Sequence, residues 1–158
     1  MDQSMRTDQS AAPATLLESV ETDLTTALLA WSAASIAIGA TLALVGRRTE
    51  NEHLVSFGRQ NAAWGAIDAL IAGGGVLSRR RRGPLTVEQE IKKAQGLRTL
   101  LLVNAAADVG YVVGGLLIKA RGRKGLKTLR MGAGDGAAIV VQGAFLLVLD
   151  VTQARRLG

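Results

Sequence analysis

Apolar residues in this chain run in four long blocks separated by short charged ones. No charged residue stands between Asp23 and Arg47; one, Asp68, stands between Arg59 and Arg79. One, Asp108, stands between Arg98 and Lys119, and one, Asp135, between Arg130 and Asp150. Each block is about as long as the ~20 residues a helix needs to cross a bilayer. The pattern predicts spans over residues 24–45, 57–77, 97–118 and 131–151. A soluble Ala/Gly-rich bundle is the alternative, but it would need a polar face recurring every ~3.6 residues, which these blocks lack. The expected fold class is all-α, an integral membrane four-helix bundle in one domain over residues 14–158. Residues 1–13 are expected to be a disordered polar N-terminus.

The joints carry their own signals. From Ala14, the apolar positions Leu16, Leu17, Val20, Leu24, Leu28 and Trp31 recur at helical spacing, with Glu18, Glu21, Thr22 and Thr25 opposite. This is an amphipathic lead-in, suited to the interface or to docking on the bundle. Thr86-Val87-Glu88-Gln89 fits a capping box, so a helix should start near Val87 and run on into the third span. Small residues four apart permit close helix approach, and they occur as Gly39/Ala43, Gly110/Gly114 and Gly132/Gly136. The short loop Arg47–Glu52 favours antiparallel neighbours. An even number of spans places both termini on one side. Lys and Arg divide ten against nine between the two sides, with the cytoplasmic side the expected one for the termini.

Net charge is +6, which in a soluble protein would raise nucleic acid as a partner. Here the basic residues sit at block ends. Arg79, Arg80, Arg81 and Arg82 form one cluster; Arg121, Arg123 and Lys124 belong to the other. Juxtamembrane clusters of this kind are explained by anionic lipid headgroups, and no aromatic stacking platform accompanies them. No nucleic-acid partner is expected; the bilayer is the partner, with a homodimer or larger membrane complex possible. The chain has no cysteine, which removes disulfides and thiol chemistry.

Polar residues recur at mid-depth. The block centres fall close to Ser35, Asp68, Asp108 and Gln142, so every span carries a polar side chain near its midpoint. A charged Asp at a helix centre costs roughly 2.5–3.5 kcal/mol on insertion scales. No Lys, Arg or His lies centrally in any span to offset Asp68 or Asp108. Either the carboxyls are neutral and hydrogen-bonded to Asn104, Asn61, Gln142 or Tyr111, or a cation is held there. The plainer role of such a layer is polar glue that fixes helix register. Asn104 and Asp108, four apart, share a helix face that should point to the bundle centre. Antiparallel geometry also predicts two rim ion pairs, Arg59 with Asp135 and Arg98 with Asp150. Trp31 and Trp64 lie well inside their spans, as interhelical packing requires.

Catalytic and cofactor signals are missing. Gly132-Ala133-Gly134-Asp135-Gly136 has neither the preceding strand nor the following Lys of a phosphate loop. His53, expected in a loop, is the only histidine, so bis-His haem ligation within one chain is excluded. No nucleophile–base set is present. Neither a metal, a cofactor nor an enzyme activity is expected.

Gln60-Asn61-Ala62-Ala63-Trp64, followed by Asp68 and Ile71-Ala72, resembles the second span of an uncharacterised family of small four-span bacterial membrane proteins, a domain of unknown function. Asn104 through Asp108-Val109-Gly110-Tyr111 resembles its third span, and Gln142-Gly143-Ala144-Phe145-Leu146-Leu147 through Asp150 its fourth. The similarity covers about residues 27–151. The family often carries Asn where this chain has Ser35 and Asp68, and Gly-Leu where it has Ala106-Ala107. The resemblance implies the architecture and a bacterial inner-membrane location, and no activity. The function expected is that of a structural, interaction or accessory subunit. The alternative is a small proton- or cation-conducting channel or transporter using Asp68 and Asp108.

Overall fold

The computed structural model describes residues 15–121 and 131–158, the side chain of Arg121 excepted. The expected disorder of residues 1–13 and the side chains of Arg123 and Lys124 lie outside the described residues. Four helices occupy nearly all of the rest: α1 (Leu16–Arg48), α2 (Glu52–Arg81), α3 (Val87–Arg121) and α4 (Ala133–Arg156).

Each start is capped by the residue the local sequence supplies. The Thr15 hydroxyl accepts from the Glu18 N–H at 3.3 Å, and Asn51 Oδ1 accepts from the N–H groups of His53 and Leu54. The capping box forms as expected: the Gln89 N–H donates to Thr86 Oγ1, and the Thr86 N–H to Gln89 Oε1 at 3.0 Å. At α4, Asp135 Oδ2 accepts from the Gly132 N–H at 2.8 Å. These bonds satisfy donors that a helix start leaves without partners. His53 falls in the first turn of α2 and not in a loop.

Between α1 and α2 the chain reverses tightly. Glu50 sits in the left-handed region at φ 53°, and the Asn51 N–H closes back on the Gly46 carbonyl at 2.8 Å. That is the ending glycine usually supplies at a helix C-terminus.

Two antiparallel hairpins result, α1/α2 and α3/α4, and α2 lies parallel to α4 along the seam between them. The α1/α2 contact is built on small residues. A Cβ added to Gly39 would lie 2.6 Å from both the Ala62 nitrogen and the Gly58 carbonyl oxygen, so the backbones touch there. In the second hairpin Gly115 faces Gly136 and Val140 in the same way. Gly110 and Gly114, read above as a close-packing pair, instead point away from the bundle, with nothing within 4 Å of an added Cβ at either. The register of α3 on α4 turns Gly115 inward, and its neighbour at 114 is carried round by one residue, roughly 100°.

The burial pattern is inverted relative to a soluble domain. Among the described residues, buried polar or charged side chains are as numerous as buried hydrophobic ones. Large apolar side chains such as Leu70 (77% exposed), Val103 and Val148 face outward. Water would not sustain so much exposed apolar surface, whereas lipid tails match it.

Three helices, α1, α3 and α4, are long and apolar enough to cross a membrane. α2 does not join them, although four spans were expected. Arg59, Gln60, Asn61, Asp68 and three consecutive glycines lower its mean hydropathy. Two of its polar side chains within the apolar block, Asn61 and Asp68, are nonetheless buried, with Ile67, Leu70 and Ile71 outside.

The amphipathic lead-in runs without a break into the first span. It is the first turns of α1, and it docks on the bundle through buried Leu17 and Val20. Polar ties hold it: Glu21 to Arg82, and Asp23 and Ser19 to Arg156.

Candidate functional site

The side chains expected at mid-depth divide into a connected part and an unconnected part. Gln142 is the hub. Its Oε1 accepts from Trp31 Nε1 at 2.9 Å, and its Nε2 donates to Asp68 Oδ2. One amide from α4 thus links α1 and α2, and both Gln142 and Asp68 are 2% exposed. The glutamine can do this because its amide offers an acceptor and a donor on opposite sides. Trp31 is held flat against Phe145, ring centroids 4.0 Å apart and planes within 6°, which aims its N–H at the amide. The helix positions follow from spacing. Asn61, Gly65, Asp68 and Ala72 are all buried, at intervals of three and four along α2.

A second link crosses α1 and α2 nearby. Asn61 Nδ2 donates to the Ser35 backbone carbonyl at 3.1 Å, while Asn61 Oδ1 is buried without a partner. Ser35 is buried at this contact, and it is its carbonyl, not its hydroxyl, that accepts.

Asp108 is 3% exposed, and its Oδ2 finds no hydrogen-bond partner. None of the partners proposed for it from the sequence reaches that oxygen. It lies within electrostatic range of two other buried carboxyls, Asp68 and Asp150. Trp64 Nε1 is likewise buried and unpartnered, and its ring meets Tyr111 edge-on at 5.5 Å. Tyr111 itself is 44% exposed.

Asn104 does not point to the bundle centre as expected. It is exposed, and its amide reaches sideways to Asp150. This also replaces one of the two rim ion pairs. Asp150 is 6% exposed and faces Asn104, and among the described residues it makes no ion pair with Arg98. Six residues separate Arg98 from Asn104, roughly 240° around α3, so only one of the two can face Asp150. The other pair comes together. Arg59 Nη2 lies 3.8 Å from Asp135 Oδ1, with the arginine 70% exposed and the aspartate 4%. An exposed guanidinium at that distance contributes little stability.

The arginine cluster also divides. Arg79 donates to the hydroxyls of Thr22 and Thr25, and Arg82 forms a two-pronged bond to Glu21 at 2.9 and 2.8 Å. The bond to Glu21 holds the Arg82 guanidinium above its ordinary pKa, with the charges of Glu21, Glu18 and Glu90 adding to the effect. Arg80 and Arg81 remain exposed at the surface.

Sequence reasoning missed Trp31 as a donor, Asp150 as an interior carboxyl and Gln153 as a buried amide. Spacing could have found Asp150, which lies eight residues from Gln142, close to the same helix face. Nothing local marks Trp31, whose partner is more than a hundred residues away. Among the described residues, no group of three or more His, Asp or Glu could hold a metal ion.

The fold and this interior define an all-α, four-helix protein with three candidate membrane-spanning helices and a buried polar seam. Such a pattern marks a multi-pass membrane protein. The chain belongs to a family of unknown function, DUF6992, whose model matches residues 27–151. No match is found among curated proteins or among solved structures.

Proposed function

We propose that the protein is a four-span integral membrane protein, α2 included, acting as a non-enzymatic structural or accessory subunit. The observation that carries this reading is the Gln142 bridge, one amide joining α1, α2 and α4. A bridge between hairpins fixes their register, and register is what a scaffold surface needs. Inclusion of α2 is supported by its inward-turned Asn61 and Asp68 and its outward Ile67, Leu70 and Ile71. A less apolar helix is tolerated in a bilayer when its polar side chains face protein. The site would be the bacterial inner membrane, with both termini on the cytoplasmic side and exposed Arg80 and Arg81 toward the headgroups.

The test is affinity purification of the full chain in mild detergent. A stoichiometric partner, or a stable homo-oligomer, is expected. A folded monomer that recovers no partner under several extraction conditions would overturn the reading.

One observation favours a second reading, a proton or cation pathway through Asp68 and Asp108. The buried, unpartnered Oδ2 of Asp108 is a vacant acceptor beside two further carboxyls. Four spans leave little room for a pathway, so this version needs a homodimer. Flux into proteoliposomes would be compared for wild type and Asp108→Asn. No flux from well-folded wild type sinks conduction; flux unchanged by the substitution sinks the role of Asp108.

A further inference from the structure

At one end of the bundle the start of α1, the end of α2 and the start of α3 enclose an open cleft of about 560 Å3. That is within the size range of small-ligand sites. Arg79, Arg80 and Arg82 line it from α2 and its C-terminus, and Glu18 and Glu90 from α1 and α3. Its residues fall just outside the apolar blocks, which begin at Leu24 in α1 and end at Leu77 in α2. The cleft therefore stands at the membrane boundary, if the chain spans the membrane as proposed above.

The charges in it are not equivalent. Arg82 is already neutralised by Glu21. Among the described residues Arg79 is held by two threonine hydroxyls and bonds no carboxylate, so its direction is set without a direct ion pair. Arg80 is exposed and makes no polar contact among the described residues, and the carboxylates of Glu18 and Glu90 line the same cleft without hydrogen-bond partners there, within electrostatic range of Arg82. Among the described residues, two cations and two anions thus share one cleft without a hydrogen-bonded partner of opposite charge. A purely anionic ligand would gain from the first pair and be repelled by the second. A ligand carrying both signs satisfies all four.

We propose that this cleft binds a zwitterionic phosphoethanolamine group, its phosphate on Arg79 and Arg80 and its ammonium on Glu18 and Glu90. Guanidinium–phosphate and ammonium–carboxylate contacts are charge-assisted hydrogen bonds, the strongest polar contacts available at such a boundary. A trimethylammonium group has no N–H to donate and would satisfy the carboxylates poorly. The cleft thus separates ethanolamine from choline headgroups, and zwitterionic from anionic ones.

The test uses the full chain in mild nonionic detergent, with bound lipid read by native mass spectrometry. Equimolar phosphatidylethanolamine, phosphatidylcholine and phosphatidylglycerol are the probes. Phosphatidylethanolamine should be retained about tenfold over each of the others, the discrimination one charge-assisted hydrogen bond supports. Arg80→Gln should weaken retention of both zwitterionic lipids, and Glu90→Gln should erase the preference of ethanolamine over choline. Glu18→Gln provides a second route if Glu90→Gln unfolds. Soluble glycerophosphoethanolamine separates the sources. Competition by it assigns the free ester as a sufficient ligand; retention without competition assigns the lipid. Equal retention of all three lipids, or preference for phosphatidylglycerol, would overturn the proposal. If that happens in protein that still fractionates with membranes, the membrane reading stands and only the cleft falls.

Discussion

Gly39→Ala should be among the most damaging single-methyl changes in this protein, while Gly110→Ala should be harmless. At Gly39 the new Cβ would sit 2.6 Å from the Ala62 nitrogen and from the Gly58 oxygen. Ordinary contact begins near 3.4 Å, so α1 and α2 would have to part by most of an ångström over backbone atoms that cannot rotate away. Overpacking of this kind costs typically ~1–3 kcal/mol. Ala is the better helix former by about 0.5–1 kcal/mol, which offsets part of it. The net expectation is a loss of roughly 1–2 kcal/mol at Gly39. At Gly110 no atom lies within 4 Å, so only the helix-forming gain remains and the change should be neutral to stabilising. The assay is reversible unfolding in mixed micelles, followed by helical circular dichroism, on both variants and wild type. Equal behaviour of the two alanines would refute the packing argument. Destabilisation at Gly110 but not Gly39 would mean that the small-residue face of α3 is an interface between chains.

Four further outcomes are expected. Gln142→Leu strands the Trp31 N–H and the Asp68 carboxyl together and should cost about 2–6 kcal/mol in the same unfolding assay, at ~1–3 kcal/mol per orphaned buried group. Asp68→Asn keeps an acceptor for Gln142 and should lose less than about 1 kcal/mol; a larger loss would mean the charge, not the hydrogen bond, matters. A double-mutant cycle on Arg82→Gln and Glu21→Gln should give a coupling of about 1 kcal/mol that shrinks with added salt, because both side chains keep a fifth of their surface in water. Glu50→Gly should raise stability by up to about 1 kcal/mol, since Glu50 holds a φ of 53° that glycine adopts without strain; no change or a loss would place the energetics of this turn in the Glu50 side chain.

The helices and their caps are local properties, and the chain itself determines them. Segregation of charge to the ends of the four apolar blocks, Thr86 and Gln89 around Val87, and Asn51 ahead of Glu52 each act over a few residues. So does the rule that a helix with lipid around it turns its few polar side chains inward, which marks Asp68, Asp108 and Gln142 as interior from composition alone. Pairing is another matter. Which oxygen Gln142 reaches, whether Asp150 meets Arg98 or Asn104, and whether Gly114 or Gly115 touches α4 depend on the rotation of one helix against another. A shift of one residue turns a side chain by roughly 100° and exchanges one partner for its neighbour. No local pattern carries that angle; close contact of the backbones at Gly39 and Gly58 and at Gly115 and Gly136 sets it. The cleft beyond Arg79 is of the same kind, since three segments distant in sequence must meet before its charges share one space.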